Sequence, residues 1–189
     1  MKLQTKLTGA ALLAGALLAT SCGEPEAKPG EVRPVSFESE GATLKGNLYY
    51  PTNYEPGIQN PAVVVTCSWT TVKEQMAGLY AQKLAQEKGL ITLAFDFRNY
   101  GESEGEPRFY ESPALKTEDI NNAAEYLSGV SAVDGDRVGG FAVCASAGYL
   151  LEAATEEDSP IKAVVTAASW QHDAEAEKLY YGGEEGVQA

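Results

Sequence analysis

The sequence is poor in basic residues, in histidine and in long apolar runs, and each shortage narrows the possible functions. Its 14 lysines and arginines are outnumbered by 27 aspartates and glutamates, giving a net charge of −13 that disfavours nucleic acids and anionic lipid surfaces as partners. His172 is the only histidine, so no more than one imidazole group of this chain can act as a catalytic base. The longest apolar run, Leu7 to Ala19, is too short to cross a membrane. No repeat or low-complexity segment is present.

Residues 1–21 have the pattern of a secretory signal peptide. Lys2 and Lys6 precede the apolar run, and small residues follow it as far as Cys22. This resembles a bacterial lipoprotein cleavage site and predicts that Cys22 is lipidated and anchors the protein to the lipid bilayer of the cell envelope, on the periplasmic or outer surface. Simple secretion and an uncleaved leader are the alternatives. Residues 22–34 are predicted to be a flexible tether, and residues 35–189 a single domain.

Apolar periodicity along the domain predicts strands that alternate with helices. Strands are expected at Val32–Glu40, Ala42–Tyr50, Pro61–Cys67, Leu90–Asp96, Arg137–Val143 and Ile161–Ser169, and helices at Lys73–Lys88, Thr117–Ser128 and Ala145–Glu156. The first two strands form a predicted hairpin around Gly41. The later order of strand, helix and strand predicts an α/β fold with a mostly parallel sheet and right-handed crossovers.

The segment from Arg137 to Gly148 carries the strongest functional signal. It is a short apolar strand, a turn of small residues and a helix start, which is how a nucleophile elbow is built. Cys144 falls at the tip of the turn, with Ala142 and Ser146 at the two usual glycine places. A thiolate there gains from the positive end of the helix dipole. Ser146 is the alternative nucleophile, in an alignment of the motif that buries Cys144 instead.

Several motifs, taken in order, resemble the α/β-hydrolase superfamily and its dienelactone-hydrolase-related branch. They are the loop Phe95–Gly105, similar to the family's Asp-x-Arg-x-x-Gly-x-Ser loop, the segment Val72–Gln75, the Cys144 turn, and the segments Trp170–Asp173 and Tyr181–Val187. The resemblance implies a three-layer α/β sandwich with an N-terminal antiparallel hairpin. About six of the family's eight strands are recognisable.

The resemblance also implies roles for individual residues. The oxyanion hole is expected at the backbone N–H of Ala145 together with one from Ser68 or Trp69, and Trp69 is alternatively a lid over the acyl pocket. His172, oriented by Asp173, is a candidate base. Because the family's histidine comes much later in the chain, His172 is alternatively a residue of an ordinary loop.

One contact near the strand ends is expected, and one disulfide is a hypothesis. Asp96 and Arg98 are expected to brace their loop by pairing with each other, with substrate contact as the alternative. Cys67 and Cys144 end strands that are neighbours in the superfamily, and a disulfide between them requires a Cα separation of about 4.4–6.8 Å. In an oxidising compartment such a bridge would block the nucleophile.

The function implied by the resemblance is hydrolysis of an ester, thioester or lactone of a small-molecule acyl substrate through an acyl-enzyme, without a metal or organic cofactor. The acid and the histidine of the usual triad are not recognisable. The strand Ile161–Ser169 is therefore expected at an open sheet edge, and the chain is interpreted as part of a longer protein. The alternative function is a non-catalytic, lipid-anchored binding or scaffold protein on the same fold.

Overall fold

Six strands and three helices follow one another in the computed structural model, which describes residues 25–170, 175 and 178. The strands are β1 (Val32–Ser39), β2 (Ala42–Tyr49), β3 (Asn60–Thr66), β4 (Ile91–Phe95), β5 (Val133–Val143) and β6 (Ile161–Ala167). The helices are α1 (Met76–Lys88), α2 (Pro113–Ser128) and α3 (Ser146–Ala153).

The strands form one sheet in the order β1-β2-β4-β3-β5-β6. The β1–β2 hairpin is antiparallel, β2 joins β4 antiparallel, and β4, β3, β5 and β6 run parallel. The crossover through α1 runs from β3 toward one edge, and the crossover through α2 returns toward the other. Since such crossovers are right-handed, α1 and α2 lie on opposite faces of the sheet. The predicted α/β sandwich with an N-terminal hairpin is confirmed.

The core lies on both faces of the central strands. All five residues of β4 are buried, as are Val64 and Val65 of β3, which explains why these strands are continuous apolar runs. Helix α1 approaches the sheet through small buried residues, Ala77, Gly78, Ala81 and Ala85. Helix α2 buries a stripe of Ile120, Ala123, Ala124 and Leu127.

Two helices begin several residues away from their predicted starts. Helix α1 begins at Met76 rather than Lys73, and the backbone N–H of Lys73 in the segment before it donates to the Asp96 carboxylate. Helix α2 begins at Pro113, four residues before the predicted Thr117. Ser112 caps it by accepting a hydrogen bond from the N–H of Leu115, and a proline suits the first helical position.

The first strand begins at its predicted residue. Val32, Arg33 and Pro34, where the predicted strand overlaps the predicted tether, belong to β1, and Ala27 is buried. Pro34 is accommodated because β1 is an edge strand, where a missing N–H leaves no neighbour unsatisfied. The predicted signal segment and Cys22 lie outside the described residues. Among the described residues, no helix has the length and apolar character needed to cross a membrane.

A glycine in α1 provides a test of how closely this helix packs. A Cβ at Gly78 would lie 2.5 Å from the carbonyl oxygen of Lys73, whereas a Cβ at Gly148 in α3 would meet nothing within 4 Å. Helix propensity favours alanine at both positions by about 0.5–1 kcal/mol. We expect Gly148→Ala to raise the free energy of unfolding by that amount and Gly78→Ala to lower it by about 1–3 kcal/mol. Urea unfolding of both variants measures the difference, and equal stabilisation would contradict the packing described.

Candidate active site

The ends of the parallel strands bring the candidate residues to one edge of the sheet. Thr66 of β3 pairs with Ala142 of β5, and Ser68 and Cys144 each follow these paired residues by two positions. Val143 pairs with Ala167 of β6. Neighbouring strands are about 4.8 Å apart, and the segments that follow β3, β5 and β6 therefore emerge side by side around Cys144.

Cys144 has a left-handed backbone conformation that is unusual for a residue with a side chain. Its φ is 62°, in a turn between the last residue of β5 and the first turn of α3. Three hydrogen bonds of 3.1 Å hold this peptide: its N–H donates to the carbonyl of Ala167, and its carbonyl accepts from the N–H groups of Ala147 and Trp170. The strand–turn–helix geometry is that of a nucleophile elbow.

The side chain of Cys144 is partly exposed and is a free thiol. The N–H of Ala145, the next residue, donates to no acceptor within residues 25–170, and neither does that of Ser68. Trp69 is 38% exposed on the same loop as Ser68. The structure therefore brings the predicted oxyanion donors to the edge where Cys144 emerges.

Ser146, the alternative nucleophile, is buried at the start of α3. Its hydroxyl accepts a hydrogen bond from Thr66 Oγ1 at 2.9 Å and donates to the carbonyl of Val143 at 3.2 Å. With 1% of its surface exposed, it has no access to a substrate. Its bonds instead fasten the first turn of α3 to the end of β3.

The two described cysteines do not form the hypothesised disulfide. Both are free thiols, and Cys67 is 1% exposed, with its Sγ directed to the carbonyl of Thr71 at 3.6 Å. Burial raises the pKa of Cys67, which keeps this thiol protonated and unreactive.

Asp96 joins two loops at the candidate site, but not through Arg98. Its carboxylate accepts from the N–H of Lys73 at 2.7 Å, from Lys73 Nζ at 2.9 Å and from the N–H of Glu102 at 3.0 Å. Gly101 is required beside it, since a Cβ there would meet Asp96 Oδ2 at 2.2 Å. This network connects the loop that carries Ser68 to the loop after β4.

Burial by itself lowers the pKa of Lys73, but hydrogen bonds to Glu102, Glu74 and Asp96 outweigh it. The pKa of Lys73 therefore lies above its usual value, and the ammonium group stays charged.

Arg98 pairs with Asp119 of α2, so the prediction of an Asp96–Arg98 contact was wrong. Arg98 Nε and N–H donate to the two carboxylate oxygens of Asp119 at 2.7 and 2.9 Å, and Nη2 reaches Ser39 Oγ at 2.8 Å. Asp119 is completely buried and also accepts from the Ser39 hydroxyl. The arginine therefore fastens the loop after β4 to β1 and α2.

A largely buried cluster around Glu111 was not predicted from the sequence. Its carboxylate accepts hydrogen bonds from Lys116 Nζ at 2.7 Å and from the hydroxyls of Tyr100 and Tyr149, each at 2.9 Å. The ammonium of Lys116 also lies 4.5 Å from the ring centre of Tyr100 and 4.8 Å from that of Phe97. Burial raises the pKa of Glu111, but Lys116 and the tyrosines outweigh it, and the pKa lies below its usual value.

One feature of the sequence could have indicated this cluster. Lys116 lies four residues before Ile120, on the buried stripe of α2, where a lysine needs a partner. Tyr149 belongs to α3, so the cluster ties the helix of the nucleophile elbow to the loop after β4.

His172 and Asp173 lie outside the described residues. A cavity lined by Tyr50, Tyr54 and Tyr126 lies at the opposite edge of the sheet, next to the segment that enters β5, and it does not adjoin Cys144.

Comparisons with known proteins agree with this geometry. The chain is 43% identical to YcjY of Escherichia coli (strain K12) over 71% of its own length and 44% of that protein. It is 33% identical to the thiohydrolase aneE of Aspergillus aculeatus over 61% of the chain and 34% of that protein. The sequence matches no protein-family model. The chain thus spans less than half the length of these relatives.

Solved structures show the same fold. The crystal structure of PA2218 from Pseudomonas aeruginosa is 40% identical and superposes with a TM-score of 0.71, over 77% of this chain and 45% of that one. Dienelactone hydrolase from Anabaena variabilis has a TM-score of 0.60 at 21% identity, over 75% of this chain and 64% of that one. Strand order, nucleophile elbow and these likenesses together define an α/β-hydrolase fold.

Replacing Lys73 by methionine tests the network around Asp96. The change leaves a buried carboxylate without its cation, although the N–H groups of Lys73 and Glu102 still bind it. We expect Lys73→Met to lower the free energy of unfolding by about 3 kcal/mol, at the low end for a broken buried pair because of those two donors. The exposed Lys83→Met serves as the control and should change it by less than about 0.5 kcal/mol. Urea unfolding distinguishes the two, and equal effects would contradict a structural role for Lys73.

Glu111→Gln tests the second cluster through its pH dependence. The pKa of Glu111 is depressed in the folded state, so its stabilisation is complete above its unfolded pKa of about 4.3 and is lost as the pH falls through the folded value. We therefore expect Glu111→Gln to destabilise the protein at neutral pH and the deficit to shrink in acid. Urea unfolding across this range, with the exposed Glu87→Gln as control, measures the trend. A deficit independent of pH would count against the ion pair.

Proposed function

We propose that Cys144 is the nucleophile of a hydrolase that acts on an ester, thioester or lactone carbonyl. The observation that carries the proposal is a partly exposed thiol in a left-handed turn between a buried strand and a helix N-terminus. This placement puts Cys144 at the sheet edge, between the last residue of β5 and the start of α3. The name of the thiohydrolase relative supports the same class of chemistry.

In the proposed reaction, the sulfur of Cys144 attacks the carbonyl carbon and the carbonyl oxygen becomes an oxyanion. The backbone N–H of Ala145, together with that of Ser68 or Trp69, stabilises this charge. The tetrahedral intermediate collapses as the bond to the leaving alcohol or thiol breaks, and the leaving group takes up the proton lost by Cys144. Water then hydrolyses the acyl thioester and restores the thiol.

The reaction needs a base to carry the proton between these groups. His172 is the candidate within this chain. The alternative is a histidine in the part of the relatives' length that the chain does not span. Lipid anchoring through Cys22 stays a proposal that depends on the leader sequence alone.

Acylation by p-nitrophenyl acetate tests the nucleophile without requiring complete turnover. We expect the full chain to take up one acetyl group at Cys144, with release of p-nitrophenol, and Cys144→Ala to take up none at that position. Ser146→Ala is the matched control: it should still be acetylated at Cys144, while losing about 1–3 kcal/mol of stability because the hydroxyl of Thr66 loses its partner. Peptide mapping by mass spectrometry locates the group. Equal p-nitrophenol release from the wild type and Cys144→Ala would exclude Cys144.

A further inference from the structure

Exposed or partly exposed aromatic residues follow three of the strands that end at the sheet edge where Cys144 emerges. Trp69 follows β3, and Phe109 and Tyr110, which are 75% and 52% exposed, lie on the loop after β4. Trp170 follows β6, and its N–H donates to the carbonyl of Cys144 at 3.1 Å. Loops after three different strands that end at this edge therefore carry aromatic side chains, which suit an apolar ligand group.

The charges at the same edge are mainly negative. The loop of residues 96–112 carries five carboxylates and two guanidinium groups. Together with the residues that pair with them or share their partners, Lys73, Lys116, Glu74, Glu118 and Asp119, they make eight carboxylates and four cations. Glu102, with a side chain 73% exposed, is among these carboxylates. A substrate that carries its own carboxylate therefore approaches like charges.

The cations of this edge that the structure describes are already engaged. Lys73 is bound by Asp96 and Glu102, Lys116 by Glu111, and Arg98 by Asp119. The terminal nitrogens of Arg108 donate to the carbonyls of Ser103 and Gly101 at 2.6 and 2.7 Å. None of these groups is held ready as a counter-charge for an anionic substrate.

We propose that the site selects substrates with a neutral, apolar acyl group and disfavours acyl groups that carry a carboxylate. The aromatic side chains of Trp69, Phe109 and Trp170 would contact the acyl group, and the carboxylates of the loop after β4 would repel an anionic one. The inference rests on the proposed function, since it takes Cys144 as the attacking group.

Two alkylating reagents of nearly equal size, only one of which carries a charge, test the electrostatic part of the proposal. Iodoacetamide is neutral and iodoacetate is anionic; with either, the sulfur forms a bond to carbon, iodide leaves and the thiol proton passes to the buffer. The full chain is treated with each reagent, and peptide mapping separates Cys144 from Cys67 and Cys22. We expect the rate ratio of iodoacetamide to iodoacetate at Cys144 to exceed that of 2-mercaptoethanol about 3- to 10-fold, and to decline with added salt.

A second pair of reagents tests the apolar part. N-Phenyliodoacetamide adds a ring to iodoacetamide, and we expect Cys144 to favour it over iodoacetamide several-fold more than 2-mercaptoethanol does. Phe109→Asn should reduce this preference, because asparagine tolerates the φ of 64° at this position but lacks the ring. Leu79→Asn, an exposed apolar residue on α1, is the matched control and should leave the preference unchanged.

The outcomes separate the inference from the proposed function. Ratios equal to those of 2-mercaptoethanol, or a preference for iodoacetate, overturn the inference even if p-nitrophenyl acetate acetylates Cys144. Failure of Cys144 to react with p-nitrophenyl acetate or with any alkylating reagent overturns the proposed function, and the inference with it. Three results together support the inference and the proposed function: acetylation of Cys144, rate ratios at Cys144 above those of 2-mercaptoethanol, and a phenyl preference that falls in Phe109→Asn but not in Leu79→Asn.

Discussion

The left-handed backbone at Cys144 is the constraint on which the candidate site depends. A residue with a Cβ pays about 1–2 kcal/mol for this conformation, and it persists only where the surroundings fix it. Here the end of β6 binds the N–H, while Ala147 and Trp170 bind the carbonyl. The bond between Thr66 and Ser146 adds a further fastening from β3. Three strands and one helix therefore hold a single peptide in the orientation that presents the thiol.

Left-handed backbone at residues with side chains recurs along the edge of the sheet where the parallel strands end. The described non-glycine residues with positive φ are Glu40, in the β1–β2 turn, and Thr70, Asn99, Phe109, Cys144 and Ala168, which follow β3, β4, β5 and β6. Strained backbone of this kind is maintained by rigid supports. Asp96 with Lys73, and Asp119 with Arg98, supply such supports beneath the loops after β3 and β4. Buried ion pairs contribute little net stability, but their directional bonds fix loop geometry.

Features of the fold that depend on short segments, such as single strands and turns, could be predicted from the sequence. Continuous apolar runs identified β3 and β4, and the small residues around Cys144 identified the turn, because burial and steric crowding leave a local pattern. Ion-pair partners left no such pattern: Arg98 lies between two carboxylates, Asp96 and Asp119, and the choice depends on how α2 packs. The start of α2 was not predicted because serine and proline, the residue types at 112 and 113, are also common in turns. The position of Ser146 inside the turn depended on the hydroxyl of Thr66, 80 residues away.

The arrangement of charge determines how negative charge can be stabilised at this site. Lys73, Arg98 and Lys116 are each 8% exposed or less, and each is bound to a carboxylate. These cations hold the loops in place through their ion pairs. An oxyanion at Cys144 would therefore be stabilised by backbone N–H groups and by the start of α3, which are neutral and fixed in place. Because such donors need no counter-ion and no reorganisation, their effect depends on the geometry of the turn, and the strain at Cys144 is the structural condition for the chemistry.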